Sequence, residues 1–97
     1  MKALNNLVRL RSGLEHEGTT LMERAFSPTN PVIKFNELST QSDRDEQKGF
    51  MMMFSGAVSG LRNPRAHEFI HDDPERALEF IAFVSLLAKL LDEAKRT

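Results

Sequence analysis

The chain contains one segment in which side chains capable of acid–base and phosphate chemistry are crowded together, GLRNPRAHEFIHDDP at positions 60–74. Within it, Arg62 and His67 are separated by four residues, and Pro64 lies between them. A histidine can take up or release a proton near neutral pH, and an arginine can hold a phosphate through two N–H groups. If the helix resumes after Pro64, the two side chains can face the same groove. Asn63 can orient either of them or cap the next helical turn.

These residue types suit phosphodiester transesterification. The histidine would transfer a proton, and the arginine would offset the charge that grows on the phosphate in the transition state. RNA supplies its own nucleophile, the 2′-hydroxyl group, so the reaction needs no metal. The pattern therefore predicts catalytic roles for Arg62, Asn63 and His67, with Arg65 and His71 as weaker candidates for binding the substrate.

The same residues have a purely structural interpretation. In a chain with eight arginines, an Arg-x4-His spacing arises by chance often enough to be weak evidence alone. In this interpretation Asn63 and Pro64 cap a helix, Arg62 pairs with an acidic neighbour, and His67 lies on the surface. His71 and the two aspartates after it would then form an exposed turn.

The amino-acid composition excludes several classes of protein and of binding site. The chain has no cysteine, and its three histidines lack the spacing of metal ligands, so we expect no disulfide, no metal and no cofactor. With 40% hydrophobic and 28% charged residues, it is typical of a globular protein. No signal peptide or membrane-spanning run is evident, which predicts a cytoplasmic protein without membrane contact. The net charge of −1 excludes a long basic track, so any RNA contact is local or made by two chains together.

Hydrophobic periodicity predicts an all-α fold, a small helical bundle that forms a single domain over residues 1–97. A first helix ends before Gly18, and Thr19 or Thr20 can cap a short second helix. The segment 32–35 (VIKF) is extended but has no evident partner strand, so we expect no sheet.

Two longer helices flank the chemically dense segment. Ser42 followed by Asp45 resembles a helix start, and the apolar spacing that follows ends at Pro64, which disfavours helical geometry at the residue before it. The last helix has Asp73 as a good N-cap, followed by a proline at the tolerated first position.

The last helix is apolar around most of its circumference from Ala77 to Leu91. Such a helix must be surrounded, and in a domain of this size a second chain is the natural cover. The sequence therefore predicts a homodimer that forms through apolar helices. Gly56 and Gly60 fit close helix approach, or else they accommodate bulky neighbours within one chain.

Two segments, FSGAVSGLRNPRAHE and DDPERALEFIAFVSLLAKLLD, resemble the Ymh-type family of hypothetical proteins, which belongs to the HEPN superfamily (higher eukaryotes and prokaryotes nucleotide-binding). GTTLMERAFS and EQKGFMMMF also resemble it, so the similarity covers residues 18–92. The superfamily motif is an arginine, then a polar residue, then a histidine four to six positions after the arginine. Arg62, Asn63 and His67 match these positions in turn.

The resemblance implies a dimeric helical bundle with two copies of this motif in one cleft. It also implies a metal-independent endoribonuclease, in phage defence or in a toxin–antitoxin system with an antitoxin as a further partner. His67 would be the general base or acid, Arg62 would stabilise the scissile phosphate, and Asn63 would support both. The alternative is a non-catalytic module for nucleotide or RNA binding, or for dimerisation. Relatives have more helix before the segment KALNNLVR, so we expect the chain to be the C-terminal fragment of a longer protein.

Overall fold

The computed structural model describes residues 2–97 and contains five helices and two short strands. The helices are α1 (Lys2–Ser12), α2 (Gly18–Phe26), α3 (Gln41–Arg62), α4 (Pro64–His71) and α5 (Pro74–Glu93), and the strands are β1 (Ile33–Lys34) and β2 (Lys95–Arg96). The prediction of a mostly helical protein is confirmed. None of the helices in this range is long and apolar enough to cross a membrane.

The expectation that the chain forms no sheet is wrong. β1 pairs with β2 in antiparallel register, Ile33 opposite Arg96 and Lys34 opposite Lys95. The pairing continues at the chain end, where the Thr97 N–H donates to the Val32 carbonyl at 2.8 Å. The partner strand lies after α5, so no local pattern around the extended patch could have revealed it.

The core lies where α1, α2, the middle and second half of α3 and the end of α5 meet. Its two largest buried side chains are Phe26 and Phe54, whose ring centroids are 4.6 Å apart. Phe35 from the irregular segment stacks on Phe26 at 5.1 Å. The other fully enclosed apolar residues are Leu4, Val8, Leu21, Met22, Ala25, Ile33, Ala57, Val58, Leu87 and Leu91.

A buried glutamine attaches the irregular segment between α2 and α3 to this core. The Gln47 side-chain amide donates to the carbonyls of Phe26 and Ile33 at 3.1 and 3.0 Å. Its carbonyl oxygen accepts the Phe35 N–H at 2.9 Å. Because three backbone groups are satisfied by one enclosed side chain, Gln47 takes the place of a regular hydrogen-bond ladder here.

The start of α3 lies two residues earlier than the sequence indicated. Thr40, rather than Ser42, is the N-cap, and its side chain accepts the Asp43 N–H at 3.0 Å. The Asp43 carboxylate in turn accepts the N–H and hydroxyl of Ser39, and these hydrogen bonds lower the pKa of Asp43 from its ordinary value. The sequence therefore contains two overlapping helix-start signatures. The helix begins at the one whose aspartate accepts additional hydrogen bonds from Ser39.

Of the other predicted helix boundaries, one is wrong and two are confirmed. α2 begins at Gly18 with Glu17 as its N-cap and no side-chain capping bond, so the prediction of a threonine cap is wrong. The break at Pro64 is confirmed, as is Asp73, whose carboxylate accepts the N–H groups of Glu75 and Arg76.

The part of the molecule formed by α4 and the first part of α5 lies outside the core. α4 has no buried residue, and in α5 only Leu87 and Leu91, both in its second half, are buried. The molecule is accordingly elongated, with extents of 44 × 27 × 18 Å. Large apolar side chains on these two helices are exposed: Phe69 by 50%, Leu78 by 67%, Ile81 by 62% and Leu86 by 48%.

Candidate functional site

The chain turns sharply between α3 and α4, and Asn63 forms the turn. Its backbone is extended (φ −70°, ψ 129°), as expected of a residue that precedes proline. The Asn63 side-chain oxygen accepts the Arg65 N–H at 2.9 Å, and its carbonyl accepts the Ala66 N–H at 2.9 Å. Asn63 is therefore the N-cap of α4, and Pro64 occupies the first helical position, where its missing N–H costs nothing.

This turn brings Arg62 and His67 to one open groove, which we name the α4–α5 groove. Arg62 is the last residue of α3, and His67 lies in the first turn of α4, four residues after the cap. The groove has a volume of about 600 Å³. Its remaining lining residues are Lys2, Leu61, Ile70, Ala77, Phe80, Ile81, Val84 and Ser85. A cation and an imidazole thus stand at the edge of a largely apolar cavity, accessible to solvent.

Within residues 2–97, the side chains of Arg62 and His67 take part in no ion pair. Within residues 2–97 the ion pairs are Arg9–Glu17, Arg11–Asp92, Lys34–Glu37 and Arg76–Asp73, and the side chains of Arg62 and His67 make no hydrogen bond over the same range. Of the structural interpretation, the helix cap at Asn63 and the surface position of His67 are observed, whereas within residues 2–97 an acidic partner for Arg62 is not. The arginine and histidine are free to meet a ligand.

The two weaker candidates lie away from this groove. Arg65 and His71 are both exposed, and neither is among the residues that line the groove. His71 is the last residue of α4. Their proposed contacts with a substrate stay predictions, which would require the substrate to extend past the groove.

A corner between α4 and α5 supports the far wall of the groove. The guanidinium of Arg76 donates to the Phe69 carbonyl at 3.0 Å, and its central carbon lies 3.8 Å from the centroid of the Phe69 ring. The Phe69 ring in turn meets Phe80 edge to face. These contacts hold the two helices together in a region that has no buried core of its own.

Sequence reasoning missed Gly18, which lies close to the Arg62 guanidinium, and Asn5, which binds Gly18. Gly18 has a positive φ of 64°, and a Cβ built on it would lie 2.8 Å from Nη1 of Arg62. The Gly18 N–H donates to the side-chain oxygen of Asn5 at 2.9 Å. Gly18 had been interpreted only as a helix breaker, and nothing in its local sequence indicates that α3 ends against it.

Comparison with known proteins gives one match. The family model described as "Protein of unknown function (Hypoth_ymh)" matches residues 1–91, which is nearly the whole chain. The comparisons with curated proteins and with solved structures found no match. Among residues 2–97, no three histidine, aspartate or glutamate side chains are grouped as metal ligands would be.

Proposed function

We propose that this chain, which belongs to the Hypoth_ymh family, is a metal-independent endoribonuclease of the HEPN type. The observation that supports the proposal is the placement of Arg62 and His67 along one open groove, on either side of a helix break and without other partners. The family description states no activity, and the chemistry of these side chains is what supports the proposal.

In the proposed reaction the 2′-hydroxyl oxygen of a ribose attacks the adjacent phosphorus, and the bond from phosphorus to the 5′-oxygen of the next nucleotide breaks. The products are a 2′,3′-cyclic phosphate and a 5′-hydroxyl. One proton leaves the nucleophile and one reaches the leaving oxygen, and these transfers are assigned to His67. Arg62 would bind the non-bridging oxygens and stabilise their growing charge. Asn63 would act by fixing the first turn of α4, and hence the position of His67.

A second copy of the chain is part of the proposal. The exposed apolar side chains of α4 and α5 leave a surface of the kind that marks a protein interface, and Ile81 both lines the groove and is 62% exposed. Two chains that pack through these helices would bring two grooves together. The two proton transfers could then be divided between two His67 side chains.

The alternative is a module that binds a nucleotide or RNA without cleaving it, or that only dimerises. The apolar character of the α4–α5 groove favours this alternative, since Phe80, Ile81 and Val84 could hold a base or a partner helix as readily as they could flank a reaction. Turnover that depends on His67 separates the enzyme from the binder.

The test is cleavage of a generic RNA and of tRNA in EDTA, comparing the wild type with His67→Ala and Arg62→Ala. His16→Ala is the matched control, because His16 is an exposed histidine in the loop before α2. We expect cleavage with 2′,3′-cyclic phosphate ends, a loss of at least about 100-fold in both site variants, and wild-type activity in the control.

Two results would contradict the proposal. Cleavage that survives His67→Ala would exclude the mechanism, and a folded wild-type protein that cuts no RNA would favour the binding module. Sedimentation of Ile81→Glu tests the dimer separately, since a buried charge at the interface should yield monomers. The implied defence or toxin role predicts that expression of the wild type, but not of His67→Ala, arrests growth unless an antitoxin is present.

A further inference from the structure

Arg62 also lines a second groove, which we name the α1–α2 groove. Its volume is about 260 Å³. It lies between α1, the start of α2 and the end of α3, and it is lined by Lys2, Asn5, Asn6, Glu17, Gly18, Val58 and Arg62. Six of these seven residues present a charge, an amide group or bare backbone, whereas the wall of the α4–α5 groove is largely apolar.

The two grooves share their cations. Lys2 and Arg62 line both of them, so a chain of phosphates could pass from one groove to the other around Arg62. Within residues 2–97 neither cation lies within ion-pair distance of a carboxylate. The acidic member of the lining, Glu17, instead pairs with Arg9 at 3.3 Å. The groove therefore presents two uncompensated positive charges and one carboxylate that already has a partner.

The wall that separates the grooves is held in place. Asn5 accepts the Gly18 N–H, which fixes the glycine at a φ that L side chains rarely adopt. The absence of a side chain at position 18 lets the Arg62 guanidinium lie against the backbone there. The Arg62 guanidinium thus lies close to the Gly18 backbone and belongs to the lining of both grooves.

We propose that the α1–α2 groove is a second phosphate subsite, which binds the phosphate next to the scissile one in a single-stranded RNA. This inference rests on the proposed function and deepens it, by assigning Lys2 to substrate binding. A single strand fits because the chain has no basic excess, so its contacts must be few and local. Asn6 can donate its amide N–H groups to the same phosphate or to the ribose.

The test is equilibrium binding of a fluorescent single-stranded oligonucleotide with 2′-O-methyl groups, which binds as RNA does but lacks the nucleophile. Affinity is measured over a range of salt concentrations for the wild type, Lys2→Gln and Lys48→Gln. Lys48 is the matched control, because it is an exposed lysine on α3 and lines neither groove.

We expect Lys2→Gln to weaken binding several-fold and to reduce the slope of log affinity against log salt by about 0.7, as for one lost phosphate contact on a single strand. Lys48→Gln should leave both unchanged. Equal behaviour of the two variants, or no binding by the wild type, would overturn the subsite.

This experiment separates the subsite from the proposed catalysis. An effect of Lys2→Gln on binding, in a protein that cleaves no RNA, would support phosphate binding at Lys2 and refute the ribonuclease. Cleavage that depends on His67, together with binding indifferent to Lys2, would refute the subsite alone.

Discussion

Replacement of Asn63 distinguishes a catalytic amide from a helix cap. In the structure the Asn63 side-chain oxygen is already occupied by the Arg65 N–H at 2.9 Å, and α4 has no buried residue that would hold it in its place otherwise. Asn63→Ala should therefore release the first turn of α4 and with it His67. Asn63→Ser keeps an N-cap acceptor but removes the amide.

The expected magnitude follows from the loss of one cap. Removing an N-cap side chain costs about 1 kcal/mol, within a range of about 0.5–2. In a domain of this length, 1 kcal/mol lowers the Tm by about 4–8 °C. The cap and the contacts of Arg76 with Phe69 are the main attachments of α4 to the other helices. We therefore expect Asn63→Ala to destabilise α4 locally by more than the change in the global Tm indicates.

The assay combines thermal unfolding with RNA cleavage. Asn63→Ala should lower both the Tm and the cleavage rate, the latter about 10-fold or more, whereas Asn63→Ser should recover most of both. If Asn63→Ser restores the Tm but cleaves no faster than Asn63→Ala, the amide itself takes part in the chemistry. The claim that Asn63 affects cleavage only as the N-cap of α4 would then be refuted.

Three further predictions concern the supports of the site and core. Gln47→Leu leaves two buried carbonyls and one partly buried N–H without their partner and should cost about 3 kcal/mol, or roughly 12–24 °C in Tm; an unchanged Tm would contradict the network. Gly18→Ala should force the Arg62 guanidinium away from its present position, and it should lower the cleavage rate more than the same change at Gly49, which has open space around it. Hydrogen bonds to the Asp43 carboxylate, chiefly the one from the Ser39 backbone, lower its pKa from the ordinary value of 3.8. The ionised carboxylate therefore stabilises the folded protein above pH 3.8. This stability is lost as the pH falls through the lower pKa of the folded state. Asp43→Asn should flatten the fall of Tm below about pH 4, and an unaltered profile would contradict this assignment.

The local elements of the fold could be predicted from the sequence because their signals lie within one or two turns. Asp73 followed by a proline specifies the start of α5, and Pro64 specifies the break after α3, wherever the rest of the chain goes. Even local signals compete, however. Thr40 with Asp43 and Ser42 with Asp45 are the same signature two residues apart, and only the additional bonds from Ser39 decide between them.

The parts that could not be predicted depend on contacts between distant segments. β1 pairs with residues at the other end of the chain, and the role of Gln47 depends on carbonyls from two other elements. For the site, the bend at Pro64 was enough to place Arg62 and His67 along one groove. The role of Gly18 could not be predicted because the need for a glycine there depends on Arg62, which is close in space but distant in sequence. Asn5 was missed for the same reason, since it binds Gly18 across 13 positions of the chain.

The exposed apolar surface of α4 and α5 adjoins the candidate site, which couples the two proposals. Ile81 lies on the wall of the α4–α5 groove and is also exposed, so any chain that covers α5 reshapes the cavity beside His67. If a second copy covers it, Ile81→Glu should abolish both dimer and cleavage, whereas His67→Ala should abolish cleavage and leave the dimer intact. A monomeric Ile81→Glu that still cleaves at the wild-type rate would show that one chain suffices, and both proton transfers would then belong to a single His67.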